Sequence, residues 1–542
     1  MSGRISITVE PEHGERAILH ATPGAEMLSK VLAEYGFPLN TRCGQRGLCR
    51  GCEIILQQGS IMIGDTEVTA PATIRACRAR LHGPIHITLP TRSRIEHKPQ
   101  VSETFEISIP CAHDPLFTAV GSRDTGFAVD IGTTTVVILL VDLVTGEVLT
   151  RAGGFNEQIR FGDNVLTRID AARTPEAISA MQAAVVSETL APLLLQACDR
   201  ASRDVSRIAG GTIAGNTTML HLLAGVDPTS LGIAPFTATF LAGRSITAAD
   251  IHLTVEGLAQ ETPIHLLPSI AGYIGADITA GVYATGMAFD AKSSLLVDIG
   301  TNGEIVLQHG GMLSACATAA GPAFEGCGLR FGTRAREGAV SDLSLTCDPF
   351  GISVQTIGNI PASRATGICG SAYIDFLASA RACGLLGHAG RFAPTAWAAL
   401  PEACHLTDDD ERALLLAGPG SPCISEVDVA VLLQAKAAIG AGIETLLETA
   451  GIRAEEISQV YLAGGFGMHL NVVNAIAIGL LPGFKPKQVR VVGNTSLAGA
   501  LLALIDHTTL AEMESLREQV HVIELNLADG FEDRYVDHLM LP

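Results

Sequence analysis

The sequence predicts a multidomain chain: an α+β unit of the β-grasp type, then a larger α/β region made of two similar halves. Three observations predict it. Residues 4–10 and 17–20 alternate apolar and polar positions, a helical run at 25–35 follows, and strand-like stretches recur at 53–58 and 84–89. From Gly126 the texture becomes Gly-rich, and strand-like runs at 127–129, 295–297 and 460–462 each end in a glycine-bearing loop. Finally, Asp130-Ile131-Gly132-Thr133-Thr134-Thr135 is echoed by Asp298-Ile299-Gly300-Thr301-Asn302-Gly303, as expected of two similar halves.

Each element has a local reason. Alternation with period two reads as half-buried strand, and residues 11–14 as the turn of a hairpin. Pro23-Gly24 punctuates the chain before the helix at 25–35. Residues 91–124 are polar, hold Pro99, Pro110 and Pro115, and show no sustained period. They read as a linker with at most a short strand at 104–109. Helical stretches are expected at 175–201 and 427–450, between the glycine loops. The domain reading is therefore 1–90, linker 91–124, first half 125–290 and second half 291–542.

Composition narrows the function. A hydrophobic share of 47% over 542 residues supplies large cores. With one Trp and few aromatics, those cores must be built mainly from Ala, Val, Ile and Leu. A net charge of −20 repels phosphate-rich polymers, so no nucleic-acid partner is expected. The best apolar candidate for a span, residues 136–144, contains Asp142 and falls short of the roughly 20 residues required. The N-terminus lacks an apolar signal core. No membrane association and a cytoplasmic location are expected. Thirteen cysteines at this length are not a disulfide framework. Those from Cys111 to Cys423 are scattered and read as small buried hydrophobes. His221 and His469 read as polar groups beside loops, not metal ligands.

Four cysteines stand apart. Cys43, Cys49 and Cys52 lie in Cys43-Gly44-Gln45-Arg46-Gly47-Leu48-Cys49-Arg50-Gly51-Cys52, with Cys77 following a strand and loop. Thiolates suit iron–sulfur clusters or zinc. Gly44, Gly47 and Gly51 allow a tight fold that aims N–H groups at bridging sulfides, and the paired knuckles common in zinc sites are missing. A [2Fe–2S] cluster held by Cys43, Cys49, Cys52 and Cys77 is expected. The C-x5-C-x2-C spacing is one residue longer than the plant type and resembles the adrenodoxin-like ferredoxins.

No Walker loop and no G-x-G-x-x-G opening a helix is present. Phosphate binding is expected instead at the two Asp-x-Gly-Thr loops. Gly132 and Gly300 permit close approach, and backbone N–H groups with Thr133, Thr134, Thr301 and Asn302 supply donors. Asp130 and Asp298 would face each other across a cleft, as the catalytic carboxylates, and hold a hydrated Mg²⁺. Ala463-Gly464-Gly465-Phe466-Gly467 follows a third strand, and such a turn lets an adenosine face lie flat on backbone. Asn216 and Thr217, in Ala214-Gly215-Asn216-Thr217-Thr218-Met219, read equally as nucleotide contacts or as a helix N-cap. Each loop alone also reads as an ordinary strand-to-helix turn. Together and in order they resemble the acetate kinase/sugar kinase/Hsp70/actin superfamily, which implies a ribonuclease H-like ATPase of two similar halves binding ATP and Mg²⁺.

The two modules in one chain resemble the reductive activators of corrinoid proteins. The matching stretches are residues 43–77, 129–135, 214–235, 298–304, 317–325, 367–375 and 463–467. The resemblance implies ATP-dependent delivery of one electron to cob(II)alamin, regenerating cob(I)alamin on a corrinoid protein or corrinoid-dependent methyltransferase. It also implies an upstream electron donor, and it is compatible with a homodimer. The end at Pro542 without a Cys-rich tail points to the [2Fe–2S] subgroup. A plant-type cluster sits near about −400 mV. If the acceptor lies ~150 mV lower, the transfer costs about 3.5 kcal/mol at 59 mV per decade, which is what ATP would offset. Residues 317–326, with Thr318 and Glu325, and the turn Gly367-Ile368-Cys369-Gly370-Ser371 are candidate partner contacts, and read more simply as turns at the cleft. The rival reading is a redox-regulated small-molecule kinase of the same superfamily.

Overall fold

The computed structural model describes residues 4–12, 16–24, 26–39, 52–90, 93, 104–107, 113–408 and 411–542. The chain divides into two compact units, residues 1–98 with 158–163, and residues 99–157 with 164–542.

The first unit is built on a five-stranded sheet ordered Ala17–Ala21, Ile5–Pro11, Ile85–Leu89, Glu53–Gln58, Ala72–Arg75. Ile5–Pro11 pairs antiparallel with Ala17–Ala21 and parallel with Ile85–Leu89. The helix Leu28–Glu34 follows the hairpin and buries Leu28, Val31 and Leu32, the i, i+3, i+4 stripe of an amphipathic helix. That stripe joins Ile7, Val9, Ile54, Leu56 and Ile87 in one apolar core. The expected hairpin, helix and following strands are thus observed in that order. A further sheet of Thr66–Thr69, Ser60–Ile63 and Ala79–Leu81 was not expected. Its strands have three or four residues, too few to display a period.

The second unit holds two six-stranded sheets. In the first, Val148–Phe155, Thr135–Asp142 and Thr125–Ile131 run antiparallel in order, and Ile208–Gly215 and Pro263–Leu266 continue parallel. In the second, Met312–Thr318, Gly303–His309 and Ser294–Ile299 are antiparallel, and Gln459–Ala463 and Val489–Gly493 continue parallel. The same five-strand pattern occurs twice, so the echoed Asp-x-Gly-Thr motifs mark a duplicated topology. After the fifth strand of each pattern comes a helix, Ala276–Thr285 or Thr495–Ile505. These two helices pack backbone to backbone. A Cβ on Gly499 would overlap Ala280, and one on Gly281 would lie 2.7 Å from Thr495 Oγ1.

Two expectations are corrected. Residues 104–107 and 113–124 are not free linker. Glu106 N donates to Val492 O (3.1 Å) and Asn494 N to Thr104 O (3.0 Å), which lays the segment along Val489–Gly493. Arg123 donates to Ile208 O, and Asp124 pairs with Arg207 and Arg203. By length and composition two helical stretches, Pro175–Arg200 and Glu426–Thr449, could cross a membrane, where only residues 136–144 had been considered. Their apolar windows are 56% and 78% buried inside the unit, the placement of core helices.

Candidate functional site

The loops that follow the core strands converge on one cavity of about 900 Å³ in the second unit. It is lined by Asp130, Gly132, Thr133, Thr134 and Asn216 from the first half, and by Asp298, Gly300, Thr301 and Asn302 from the second. Gly464, Gly465 and Phe466 complete the wall. Gly464 has φ +90°, and a Cβ there would lie 2.6 Å from Asp298 Oδ1, so only glycine lets this turn approach the second aspartate. Phe466 stacks on Phe324 with centroids 5.2 Å apart, giving the cavity an aromatic side.

Two expected residues do not line the cavity. Thr217 is 1% exposed and its hydroxyl donates to Ala271 O (2.7 Å), a bond within the fold. Gly467 begins the short turn beyond the wall. Asn216 serves as helix cap, accepting from Met219 N (3.0 Å), while its amide donates to Thr133 Oγ1 (2.9 Å). The cap reading of Asn216 therefore holds, and its amide also supports a cavity hydroxyl. The N–H groups of Gly132 and Gly300 are spent within their own loops, on Thr135 O and Asn302 O. The side-chain donors these loops present are the threonine hydroxyls and the amide of Asn302, which bonds Glu304. His221 is a core residue, bonded to Thr217 O and Thr239 N and stacked on Phe240.

The structure adds residues that the sequence did not single out. Fully buried Arg168 donates to Thr133 O, and Asn156 Nδ2 donates to Gly132 O (2.9 Å), so the first loop is pinned from behind. The duplication also exposes an asymmetry. Asp130 accepts from Asn494 Nδ2 (2.8 Å) and Ser496 Oγ (2.7 Å) at the start of the helix Thr495–Ile505. The corresponding helix of the other half begins with Gly275 and Ala276, followed by Asp277. Asp298 accordingly meets another carboxylate where Asp130 meets donors.

The electrostatics follow. Burial raises Asp130, and the bonds from Ser496 and Asn494 oppose the rise. Asp298 is pushed up to about 7, first by burial and then by the charge of Asp130. Burial, then the charges of Asp298 and Asp130, raise Asp277, and Glu304 is raised by burial and by Asp277 and Asp298. A group of acids held partly neutral near pH 7 suits a site completed by a cation. Among the described residues no three side chains form a ready ligand set. The fit is therefore to a hydrated Mg²⁺, which keeps most of its waters and takes one or two carboxylates. Asp298, beside Asp277 and Glu304, is the better placed of the two expected aspartates, because the first-half helix Ala276–Thr285 brings it Asp277 and no Asn or Ser donor of the Asp130 kind.

A pH dependence follows. A cation competes with the proton on Asp298, so Mg²⁺ affinity should rise with pH. A single carboxylate titrating at about 7 gives roughly a tenfold gain between pH 6 and pH 8. Mg²⁺ titrations followed by thermal shift at the two pH values check this.

The sulfur site is only partly described. Cys43 and Cys49 lie outside the described residues. Cys52 and Cys77 are buried, at 0% and 1% exposure. They flank the paired strands Glu53–Gln58 and Ala72–Arg75, in which Glu53 is opposite Arg75, and Ala76 N donates to Cys52 O (3.0 Å). Two sulfurs at one end of a sheet, next to the expected loop, fit half of a four-thiolate set.

Comparison with known proteins finds relatives of the chain. Residues 125–290 match the family model described as the RACo middle region, and residues 292–542 the C-terminal domain of RACo, the ASKHA domain. The chain is 30% identical over 579 aligned positions to the corrinoid activation enzyme RamQ of Eubacterium limosum, covering 95% of this chain and 96% of that one. It is 28% identical to a [Co(II) methylated amine-specific corrinoid protein] reductase of Methanosarcina barkeri, over 74% of each chain. Among solved structures it resembles a reductive activator for a corrinoid, iron–sulfur protein, with TM-score 0.71, 29% identity, and 99% and 98% of the two chains covered.

Proposed function

Because the chain belongs to the family of reductive activators of corrinoid proteins, we propose that it reduces a corrinoid protein from Co(II) to Co(I), with ATP bound and hydrolysed in the 900 Å³ cavity and the electron delivered from the N-terminal unit. The observation that carries the nucleotide half of this reading is convergence: three loops, each more than 160 residues from the next, meet at one cavity lined by threonine hydroxyls and carboxylates.

The chain's own groups have definite tasks in this reading. Thr133, Thr134 and Thr301 donate hydroxyl hydrogen bonds to phosphate oxygens. Asn216, Asn156 and Arg168 hold the first of these loops in place. Asp298, with Glu304 and Asp277 nearby, would hold a Mg²⁺, which when bound supplies positive charge to the phosphates. The turn Gly464-Gly465-Phe466 accepts the nucleoside face. In the N-terminal unit, Cys43, Cys49, Cys52 and Cys77 would hold a [2Fe–2S] cluster, which when bound supplies one-electron transfer. ATP influences the reduction only if the nucleotide states differ in affinity for the partner's Co(II) and Co(I) forms.

The test mixes the anaerobically reduced protein with a Co(II) corrinoid protein and follows the Co(I) absorption band. Co(I) should form only with hydrolysable ATP, and ATP hydrolysis should rise when the partner is added. Equal Co(I) formation without ATP, or phosphoryl transfer to a small metabolite, overturns the reading.

A further inference from the structure

We infer that Arg334 is the side chain that takes the terminal phosphate of the nucleotide, and that Glu325 occupies that phosphate's place until the nucleotide arrives. The inference rests on the nucleotide reading of the cavity and deepens it.

Glu325 is held by both phosphate loops at once. Its Oε1 accepts from Thr301 Oγ1 (2.7 Å), and its Oε2 from Thr134 Oγ1 (2.9 Å). Those two hydroxyls, one from each half, lie 3.3 Å apart. Arg334 Nη2 donates to the same Oε2 at 3.1 Å and to Thr134 Oγ1 at 2.9 Å. One anionic group thus accepts from two loop hydroxyls and a guanidinium. These are the donors a phosphoryl group would use, and Arg suits carboxylate and phosphate alike.

Charge gives an independent argument. Six carboxylates line the cavity: Asp130, Asp277, Asp298, Glu304, Glu325 and Asp342. Among the described lining residues Arg334 is the one Lys or Arg. A triphosphate therefore has one protein cation to meet, and that cation is already committed to a carboxylate. With Glu325 in place, a terminal phosphate would confront it across the two threonines. With Glu325 displaced, Arg334 and both hydroxyls become available together.

Local structure brings the pair together and can keep Arg334 in place. Glu325 ends the turn Pro322–Glu325, and the next residue, Gly326, packs so tightly on Thr333 that a Cβ would overlap its backbone nitrogen. That contact sets Glu325 beside Arg334. The guanidinium also lies over the Phe155 ring, 5.6 Å from its centroid, a support that does not depend on Glu325.

An internal competitor lowers apparent affinity by the fraction of molecules in which it has let go. Equilibrium binding of ATP and AMP to the full chain, by calorimetry, tests this. Glu325→Ala should tighten ATP about fivefold and leave AMP within twofold, since AMP does not reach the terminal site. Arg334→Gln should weaken ATP about tenfold and leave AMP unchanged, and should do so in the Glu325→Ala background too. The melting temperature of each nucleotide-free variant monitors folding, and loss of the latch should lower it in both. Weaker ATP binding by Glu325→Ala, or an Arg334 effect that is equal for ATP and AMP or vanishes without Glu325, overturns the inference. Absence of any nucleotide binding to the parent protein sinks the cavity reading along with it. ATP binding that neither variant alters sinks this inference alone.

Discussion

Cys77→Ser should abolish Co(I) formation while ATP hydrolysis by the same preparation stays within about twofold of the parent, since the two activities are assigned to separate compact units. Cys77 is 1% exposed, follows the strand Ala72–Arg75 and sits beside Cys52 through the pairing of Glu53 with Arg75. A serine there keeps the volume but exchanges a soft thiolate for a hydroxyl, a poor ligand for iron. The expected losses are the visible absorption of the anaerobic protein, its iron and sulfide, and the Co(I) band. Retained hydrolysis would show that the second unit remains folded. Cys49→Ser should behave alike. A parent protein that is colourless and carries zinc would refute the cluster, and a Cys77→Ser protein that still generates Co(I) would refute the electron route.

How far the sequence reveals this molecule depends on whether the signal is local. The hairpin at the N-terminus, the helix Leu28–Glu34 and the strands ending at Ile131, Ile299 and Ala463 are written in short-range periodicity, so they were legible. The two Asp-x-Gly-Thr motifs are visible because the same short pattern occurs twice, and glycine is required at Gly132, where a Cβ would lie 2.7 Å from Thr135 O, and in the third loop at Gly464, beside Asp298. Asn494 and Ser496 were not legible. They reach Asp130 only because the second half's last parallel strand leads its helix back toward the first half's loop. Asp277 escaped for the same reason in mirror form. Arg168 looks like any helical arginine, and its burial behind the first loop is a tertiary fact. Glu325 reads from sequence as a turn residue at the cleft or as a partner contact, and the structure shows it at the cleft, bonded to both loops. The linker was misjudged because hydrogen bonds from backbone at 104–107 to a distant strand leave no trace in local composition.

The duplication's asymmetry leads to the second large effect. Asp298→Asn should reduce partner-stimulated ATP hydrolysis by about 10²- to 10³-fold, the usual cost of removing one preorganised electrostatic group from a reaction centre. Asp130→Asn should cost hydrolysis less and stability more. Asp130 spends both oxygens on Asn494 and Ser496, so an amide would keep one carbonyl acceptor and lose the charge-assisted character of both bonds. Asp298 has the opposite balance. Its pKa of about 7 means that the folded protein holds a proton that the unfolded chain has already released above pH ~4. The metal-free protein then loses stability from this residue as pH rises from ~4 toward 7, because the native state binds more protons than the unfolded state over that interval. An asparagine does not titrate and removes the charge opposed to Asp130, Asp277 and Glu304. Asp298→Asn should therefore melt higher than the parent at pH 8 without metal, and differ little at pH 5, while losing the Mg²⁺-dependent stabilisation. Melting curves with and without Mg²⁺ at both pH values, set beside the hydrolysis rates, separate a cation-holding carboxylate from a merely structural one. A variant that hydrolyses ATP normally, or that is less stable than the parent at pH 8, would place the chemistry elsewhere in the cavity.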